Sequence, residues 1–197
     1  MAKRLFDLLG AGLALVLLAP LLLAIALLIK LDSPGPVFFR QERVGRFGRS
    51  FRIFKFRTMR ADSAGLPLTV GDDPRITRAG AWLRRHKLDE LPQLIDVLRG
   101  TMSLVGPRPE VPRYVALYPS GLRERALAVR PGITDPASLD HLDEAAQLAA
   151  AADPEREYLE VVLPVKLRRA AEYAEQASLA SDLAVLGRTL AALLRRA

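Results

Sequence analysis

The sequence predicts a mostly helical α+β protein whose N-terminal segment lies in a membrane. Three observations support this fold class. Residues 8–29 carry no charged side chain. The segments 37–39 and 51–56 have the aromatic and aliphatic character of short strands, and most of the remaining chain shows helical periodicity. We expect a membrane segment over 1–31 and a second domain over 32–197, with a short β-hairpin and a C-terminal helical extension over 141–197.

The uncharged segment is long enough to cross a membrane as a single helix. Its helical length is about 33 Å, and a hydrocarbon core is ~30 Å thick. A cleavable signal peptide is disfavoured because the apolar run is too long and no clear small-residue cleavage site precedes Lys30. Pro20 kinks such a helix near its middle. Basic residues flank it on both sides, which favours keeping both flanks in the cytoplasm. Two courses stay open: a kinked spanning helix, and a re-entrant helix that enters and leaves on one face.

Composition excludes several kinds of site. The chain of 197 residues has no cysteine, so disulfides and cysteine–metal centres are excluded. His86 and His141 are the only histidines, which disfavours a histidine-rich zinc centre. The net charge of +7 suits a partner that carries phosphate, whether nucleic acid, anionic lipid or a phosphorylated substrate.

Short elements are predicted in order along the second domain. Gly45 and Gly48 mark the hairpin turn. Residues 61–75 are expected to form a loop, 76–87 a short basic helix, and 106–109 a rigid Gly-Pro loop. One apolar helix face is predicted from four residues at helical spacing, Leu91, Leu94, Ile95 and Leu98, with Gly100 ending the helix. Further helices are predicted over 110–118, 121–129, 141–151, 155–174 and 178–195. The last of these ends in Arg195 and Arg196, which is typical of a membrane-surface or docking helix, although packing into a core is the alternative.

Asp89 and Glu90 begin the predicted apolar helix and admit two interpretations. Capping preference and the helix dipole both favour acidic residues at this place, which gives the pair a structural role. The second interpretation is chemical, because a carboxylate pair beside arginine forks suits a diphosphate substrate with a divalent cation. An ionised aspartate can also attack phosphorus without a general base. The basic residues around the pair are Arg40, Arg43, Arg46, Lys55, Arg57, Arg84, Arg85 and Arg108. They are equally compatible with a solvated face or with attraction to anionic headgroups.

Three separated blocks resemble one known family. They read FRQERVGRFGRSFRIFKFRTM over 39–59, RRHKLDELPQLIDVLRGTMSLVGPRPE over 84–110, and RPGIT over 130–134. In content and order they are similar to the monotopic phosphoglycosyl transferases, the bacterial sugar transferase family, of the small catalytic-core type. The resemblance implies a re-entrant membrane helix broken at Ala19-Pro20, and a cytoplasmic helical domain with membrane-surface helices. It also implies the bacterial inner membrane, with that domain on its cytoplasmic face.

The resemblance further implies a two-step transfer of a sugar-1-phosphate from a UDP-sugar to polyprenyl (undecaprenyl) phosphate. Asp89, with Glu90 as its dyad partner, would attack the β-phosphorus and release UMP, and the polyprenyl phosphate would then take the phosphosugar from Asp89. Mg²⁺ is the implied cofactor, shared by the dyad. The implied phosphate- and substrate-binding residues are Arg43, Lys55, Arg57, Thr58, Arg84, Arg108 and Arg130. No nucleic acid is implied as a partner, and the oligomeric state stays open.

The sequence departs from the family pattern in two places. Ala19 stands where members commonly have a serine, whose hydroxyl satisfies a carbonyl freed by the helix break. Asp135-Pro136 follows RPGIT where many members have Gly-Trp-Ala-Gln, so the donor sugar stays open. We expect the small catalytic-core type, without the additional N-terminal spanning segments of larger members. Two alternatives remain: a non-catalytic, membrane-tethered basic adaptor that binds anionic lipid or nucleic acid, and a spanning transferase that uses a metal-activated attack with no covalent step.

Overall fold

The computed structural model describes residues 1–60, 73–135 and 144–194, and for 144–146 and 193–194 it describes the backbone alone. Most of the predicted loop 61–75, the start of the predicted helix 141–151, and the terminal Arg195 and Arg196 lie outside the described residues. In the described part the predicted fold class is confirmed, since helices predominate and the strands form two short sheets.

The N-terminal segment forms one long helix, α1, over Ala2–Asp32, and both Ala19 and Pro20 lie inside it. By length and composition α1 is able to cross a membrane. Its apolar side chains are largely exposed, as expected for a helix that contacts lipid; the most exposed are Leu5, Leu9, Leu13, Val16, Leu17, Leu23, Leu27 and Leu31. The re-entrant course stays a prediction and is taken up under the proposed function.

The predicted hairpin is confirmed, with a longer first strand than expected. β1 (Phe38–Val44) pairs antiparallel with β2 (Ser50–Phe56), in the register Phe38 to Phe56 and Val44 to Ser50. A 3₁₀ turn over Arg46–Gly48 connects them. The predicted strand ended at residue 39, whereas residues 40–44 also pair with β2. Arg40 and Arg43 are half-buried in this strand, and Glu42 is exposed.

The predicted basic helix is confirmed as α2 (Arg78–Arg85), and a 3₁₀ turn over Leu88–Glu90 leads to α3 (Gln93–Arg99). Gly100 ends α3 as predicted, in the left-handed conformation with φ of 84°. The predicted apolar face of α3 is partly wrong, because Leu98 is 40% exposed while Val97 is fully buried. Leu94 and Val97 pack with Ala11 of α1, and this contact sets which side of α3 faces inward.

Two three-residue strands that the sequence pattern did not reveal form a parallel pair. β3 (Ser103–Val105) lies beside β4 (Gly132–Thr134). The backbones approach so closely next to this pair that a Cβ added at Gly132 would lie 2.1 Å from the backbone nitrogen of Gly106. Glycine at both positions therefore allows the loop after β3 to lie against the RPGIT segment.

The rest of the described chain is helical. The helices are α4 (Pro112–Val115), α5 (Ser120–Ala126), α6 (Glu144–Ala150), α7 (Pro154–Glu157), α8 (Leu163–Gln176) and α9 (Leu179–Leu194). The predicted helices 110–118 and 121–129 correspond to the shorter α4 and α5. The predicted helix 155–174 contains a π-helical turn over Tyr158–Val162, between α7 and α8.

Both ends of α1 are attached to the second domain. At its start, Lys3 makes an ion pair with the fully buried Asp182 of α9, and Asp7 accepts hydrogen bonds from Ser103 Oγ and Leu104 N, each at 3.1 Å. At its end, Asp32 accepts a hydrogen bond from the backbone N–H of Ala79 at 3.1 Å. Between its ends, one face of α1 packs on the same domain, where Ala11 lies in a cluster with Leu94 and Val97, and Ile25 in a cluster with Phe56 and Leu83.

Candidate functional site

Asp89 lies in the tight 3₁₀ turn between α2 and α3. Lys87 starts this turn in the left-handed region, with φ of 58°, a conformation that costs a non-glycine residue free energy. The helix-cap interpretation of Asp89 is wrong, because the N-cap residue of α3 is Pro92. Asp89 is nevertheless 7% exposed. A carboxylate buried in this way without a capping role is typical of a functional group.

Glu90 holds two cations beside Asp89. Lys55 Nζ lies 2.8 Å from Glu90 Oε1 and 3.9 Å from Asp89 Oδ2. Arg108 makes a bidentate pair with Glu90, with Nη2 to Oε1 at 2.5 Å and Nη1 to Oε2 at 3.1 Å. Lys55 comes from β2 and Arg108 from the loop after β3, so the fold brings three distant parts of the sequence together at the dyad.

The pKa values of the two dyad carboxylates are shifted in opposite directions. Burial raises the pKa of Asp89, and the nearby positive charge of Lys55 only partly opposes this. Burial acts in the same direction on Glu90, but the charges of Arg108 and Lys55 outweigh it and hold the pKa of Glu90 well below its usual value. Glu90 is thus held as an anion, whereas Asp89 is a poorly solvated carboxylate, a state that favours nucleophilic attack.

Thr58 and Arg84 form a second contact at the edge of the site. Arg84 Nε donates a hydrogen bond to Thr58 Oγ1 at 3.0 Å, and Arg84 lies close enough to Asp89 for the two charges to interact. This contact requires α2 to approach the end of β2 closely. A Cβ at Gly80 would lie 2.0 Å from the carbonyl oxygen of Thr58, so only glycine fits there.

Three of the predicted substrate-binding residues have other contacts in the structure. Arg57 is 4% exposed and donates hydrogen bonds to the carbonyl oxygens of Ser33 (2.7 Å) and Pro34 at the end of α1. Arg130 donates to the carbonyl oxygen of Gly100 at 2.8 Å, at the far end of α3 from the dyad. Arg43 binds the loop that carries Arg108 rather than the dyad. The structure therefore brings together Lys55, Thr58, Arg84, Asp89, Glu90 and Arg108.

Two adjoining shallow clefts extend from Arg108 toward the C-terminal helices. Pro107, Arg108 and Tyr118 line both, and the second also reaches Asp135 and Lys166. Sequence analysis missed Tyr118 and Lys166, because neither stands in a motif. Asp135 had a signal, since it follows RPGIT directly and departs from the family pattern there.

The dyad is a suitable donor set for Mg²⁺. Within the described residues no group of three or more His, Asp or Glu side chains could hold a metal ion. Asp89 and Glu90 are the adjacent carboxylates that the resemblance assigns to such an ion. Mg²⁺ commonly binds one or two carboxylates and takes its other ligands from water and substrate phosphates, which fits this pair.

Comparison with known proteins identifies one family and several similar proteins. The family described as bacterial sugar transferase matches residues 1–196. The chain is 57% identical over 109 residues, 54% of its length, to an exopolysaccharide production protein PSS of Rhizobium leguminosarum bv. phaseoli, of which the match covers 54%. It is 51% identical over 140 residues, 67% of its length, to an undecaprenyl-phosphate glucose phosphotransferase of Komagataeibacter xylinus, of which the match covers 26%.

A third relative is named for a different sugar. The chain is 46% identical over 143 residues, 71% of its length, to a UDP-N-acetylgalactosamine-undecaprenyl-phosphate N-acetylgalactosaminephosphotransferase of Aeromonas hydrophila, of which the match covers 34%. The chain thus spans between about a quarter and about half of the length of these three curated relatives. With the family matched over almost the whole chain and the dyad set among Lys55, Arg84 and Arg108, the chain belongs to the bacterial sugar transferase family.

Proposed function

We propose that this protein transfers a sugar-1-phosphate from a UDP-sugar to polyprenyl phosphate, giving a polyprenyl diphosphosugar and UMP. Two of the relatives described above are named for phosphosugar transfer to undecaprenyl phosphate. The observation that carries the proposal is the buried Asp89, held beside Glu90 within reach of Lys55 and close to Arg84. A buried carboxylate nucleophile among fixed cations suits an attack on a diphosphate, whose negative charge those cations attract.

In the proposed first step, an oxygen of the Asp89 carboxylate attacks the β-phosphorus of the UDP-sugar. The bond from that phosphorus to the bridging oxygen breaks, and UMP leaves with the bonding electrons. In the second step, an oxygen of polyprenyl phosphate attacks the same phosphorus and displaces the Asp89 carboxylate. Lys55 and Arg108 are fixed by their ion pairs with Glu90 and present N–H donors to the phosphate oxygens. Because these donors are already in position, few dipoles need to reorganise during either step.

Asp89 and Glu90 would hold Mg²⁺, which neutralises part of the diphosphate charge when it is bound. Side chains of the protein position the other cations of the site. Glu90, kept ionised by its two cations, fixes the position of Arg108. Thr58 orients the Arg84 guanidinium through its hydroxyl, which places a further cation near Asp89. We place the rest of the donor along the open surface beyond Arg108, where the two shallow clefts lie.

We also propose that α1 is re-entrant, and that the domain 32–197 lies on the cytoplasmic face of the bacterial inner membrane. A straight helix of the length of α1 measures about 46 Å, yet its start and its end are both attached to the same domain. A helix that crossed the bilayer would separate its two ends by the hydrocarbon core of ~30 Å. The basic flanks, which favour the cytoplasmic side, support the same course.

The activity is tested by UMP release. Purified protein in nanodiscs with Mg²⁺ and undecaprenyl phosphate is supplied in turn with UDP-glucose and UDP-N-acetylgalactosamine, first as wild type and then as Asp89→Asn. We expect one donor to release UMP and the substitution to abolish release. Asp153→Asn is the matched control, since Asp153 caps α7 and, in the part of the chain that the structure describes, makes no contact with the dyad, while asparagine is an equally good cap.

Mass spectrometry of the protein after incubation with donor alone tests the covalent step. A phosphosugar adduct on Asp89 supports the two-step path, whereas UMP release without any adduct favours a direct metal-activated attack. Full activity of Asp89→Asn would disprove the assigned nucleophile. Tight, metal-independent binding to anionic vesicles without turnover would favour the adaptor.

The re-entrant course is tested by labelling, because the chain has no cysteine of its own. Single cysteines are introduced at Ala2 and, as a reference in the second domain, at Glu42. Both positions are exposed. We expect a membrane-impermeant maleimide to label neither in intact spheroplasts and both after permeabilisation. Labelling of Ala2→Cys alone in intact spheroplasts would show that α1 spans the membrane.

A further inference from the structure

The loop that carries Arg108, residues 106–110, is anchored on both sides of that arginine. Before Arg108, Gly106 N donates to the carbonyl oxygen of Thr134 at 3.1 Å, and the carbonyl oxygen of Pro107 accepts from Gly132 N at 2.9 Å. After Arg108, the anchor is Glu110. The Arg108 side chain itself is 40% exposed, so its direction depends on how firmly this short loop is held.

Glu110 is held by contacts to both of its carboxylate oxygens. Oε1 accepts from Arg43 Nη1 at 3.3 Å and from the backbone N–H of Val111 at 2.8 Å. Oε2 accepts a hydrogen bond from the hydroxyl of Tyr158. Arg43 also donates to the carbonyl oxygen of Pro109 at 3.1 Å. The residue that follows Arg108 by two positions is thus fixed by β1 on one side and by the C-terminal helices on the other.

Tyr158 occupies an irregular place in the chain. It is the first residue of the π-helical turn Tyr158–Val162 and is 2% exposed. Its ring lies 5.0 Å from that of Tyr114, and Lys166 Nζ lies 5.3 Å from the ring centre. A π-helical turn widens a helix by one residue and is often found at functional sites. Here it lies where the Tyr158 hydroxyl reaches Glu110.

We infer that Tyr158 is a positioning residue which acts through Glu110 and Arg43 to hold Arg108 against Glu90, so that the C-terminal extension takes part in the reaction. This inference rests on the proposed function. The physical reason is that an arginine on a mobile loop loses side-chain and backbone freedom each time it binds a phosphate. A loop fixed in advance avoids most of that cost.

The test compares Tyr158→Phe with Tyr114→Phe. Both substitutions remove one buried hydroxyl from the same aromatic pair, but the Tyr114 hydroxyl interacts with Glu155 of α7, whereas the Tyr158 hydroxyl binds Glu110. We expect Tyr158→Phe to lower kcat/KM for the UDP-sugar about tenfold, equivalent to about 1.4 kcal/mol, and Tyr114→Phe to change it less than twofold. The two variants should have similar melting temperatures.

A double-mutant cycle separates positioning from general stability. If Tyr158 acts through Arg108, its substitution should cost less than twofold in an Arg108→Lys background, because Lys lacks the bidentate fork. An equal tenfold loss in both backgrounds would overturn the inference. So would equal losses for Tyr158→Phe and Tyr114→Phe.

Hydrogen exchange provides a measurement that does not depend on activity. We expect faster amide exchange in residues 106–111 of Tyr158→Phe, and unchanged exchange in α3 and β2. If wild type releases no UMP with any donor, the proposed function fails and the exchange result decides whether Tyr158 holds the loop. Unchanged exchange over 106–111 would overturn the inference even if the transferase activity is present.

Discussion

Gly80→Ala is the substitution for which the structure gives the sharpest expectation. In most helices this change stabilises by about 0.5–1 kcal/mol, because alanine is the better helix former. At Gly80 the new Cβ would lie 2.0 Å from the Thr58 carbonyl oxygen and 2.7 Å from its carbonyl carbon. Ordinary van der Waals contact begins near 3.4 Å, so α2 and the end of β2 must separate by more than about 1 Å.

That separation would disturb the site directly. The Thr58 carbonyl accepts from Thr77 N at 3.0 Å, and the Thr58 hydroxyl orients Arg84. A displacement of about 1 Å in a catalytic group can cost on the order of 100-fold in rate. We therefore expect Gly80→Ala to lower kcat/KM for the UDP-sugar about 100-fold, as measured by UMP release.

Gly121 and Gly187 provide matched controls for this prediction. Both lie in helices, and a Cβ at either position meets no atom within 4 Å. Gly121→Ala and Gly187→Ala should therefore keep kcat/KM within twofold and should not lower the melting temperature. Wild-type kcat/KM in Gly80→Ala would refute the reasoning, since it would mean that α2 need not approach Thr58 for the site to work.

Two further predictions concern the half-buried Lys55 and the buried Arg57. Lys55→Met should move the acidic limb of the kcat/KM pH profile to higher pH, because Lys55 favours the ionised form of Asp89 and its removal raises the Asp89 pKa further. Lys55→Arg is the control and should leave the acidic limb in place. An unmoved limb in Lys55→Met would contradict Asp89 as the titrating group. Arg57→Ala should destabilise the protein in nanodiscs by about 2–4 kcal/mol, since hydrogen bonds from a charged donor contribute about 1.5–3 kcal/mol each and Arg57 binds several carbonyls at the end of α1. The melting temperature measures this loss of stability, and Arg49→Ala, at an exposed position, is the control. Equal melting temperatures for Arg57→Ala and wild type would contradict the anchoring role of Arg57.

The local elements could be predicted from sequence because their causes are local. An uncharged apolar run, alternation in a strand and a glycine after a helix each act within a few residues. The hairpin, α2, α3 and the Gly100 terminus follow from such signals. The strands β3 and β4 did not, since three residues are too few to show a period, and their pairing depends on the approach of Gly106 to Gly132.

The candidate site was predictable in composition but not in arrangement. The blocks around Asp89, Lys55 and Arg108 named candidate residues that the structure brings into contact. Arg57 and Arg130 belong to the same blocks, yet they bind carbonyl oxygens at the ends of α1 and α3. A sequence does not distinguish an arginine that binds phosphate from one that satisfies a helix end, because both need the same donors.

The sequence by itself therefore determined the membrane segment, the mostly helical α+β class and the identity of the carboxylate pair. Only the tertiary structure decided that Asp89 is not a helix cap, that Glu90 is the residue paired with Arg108, and that the C-terminal helices reach the loop beside it. The reason is that burial and long-range ion pairs depend on which surfaces meet, and residues as far apart as Glu110 and Tyr158 meet only when the chain has folded.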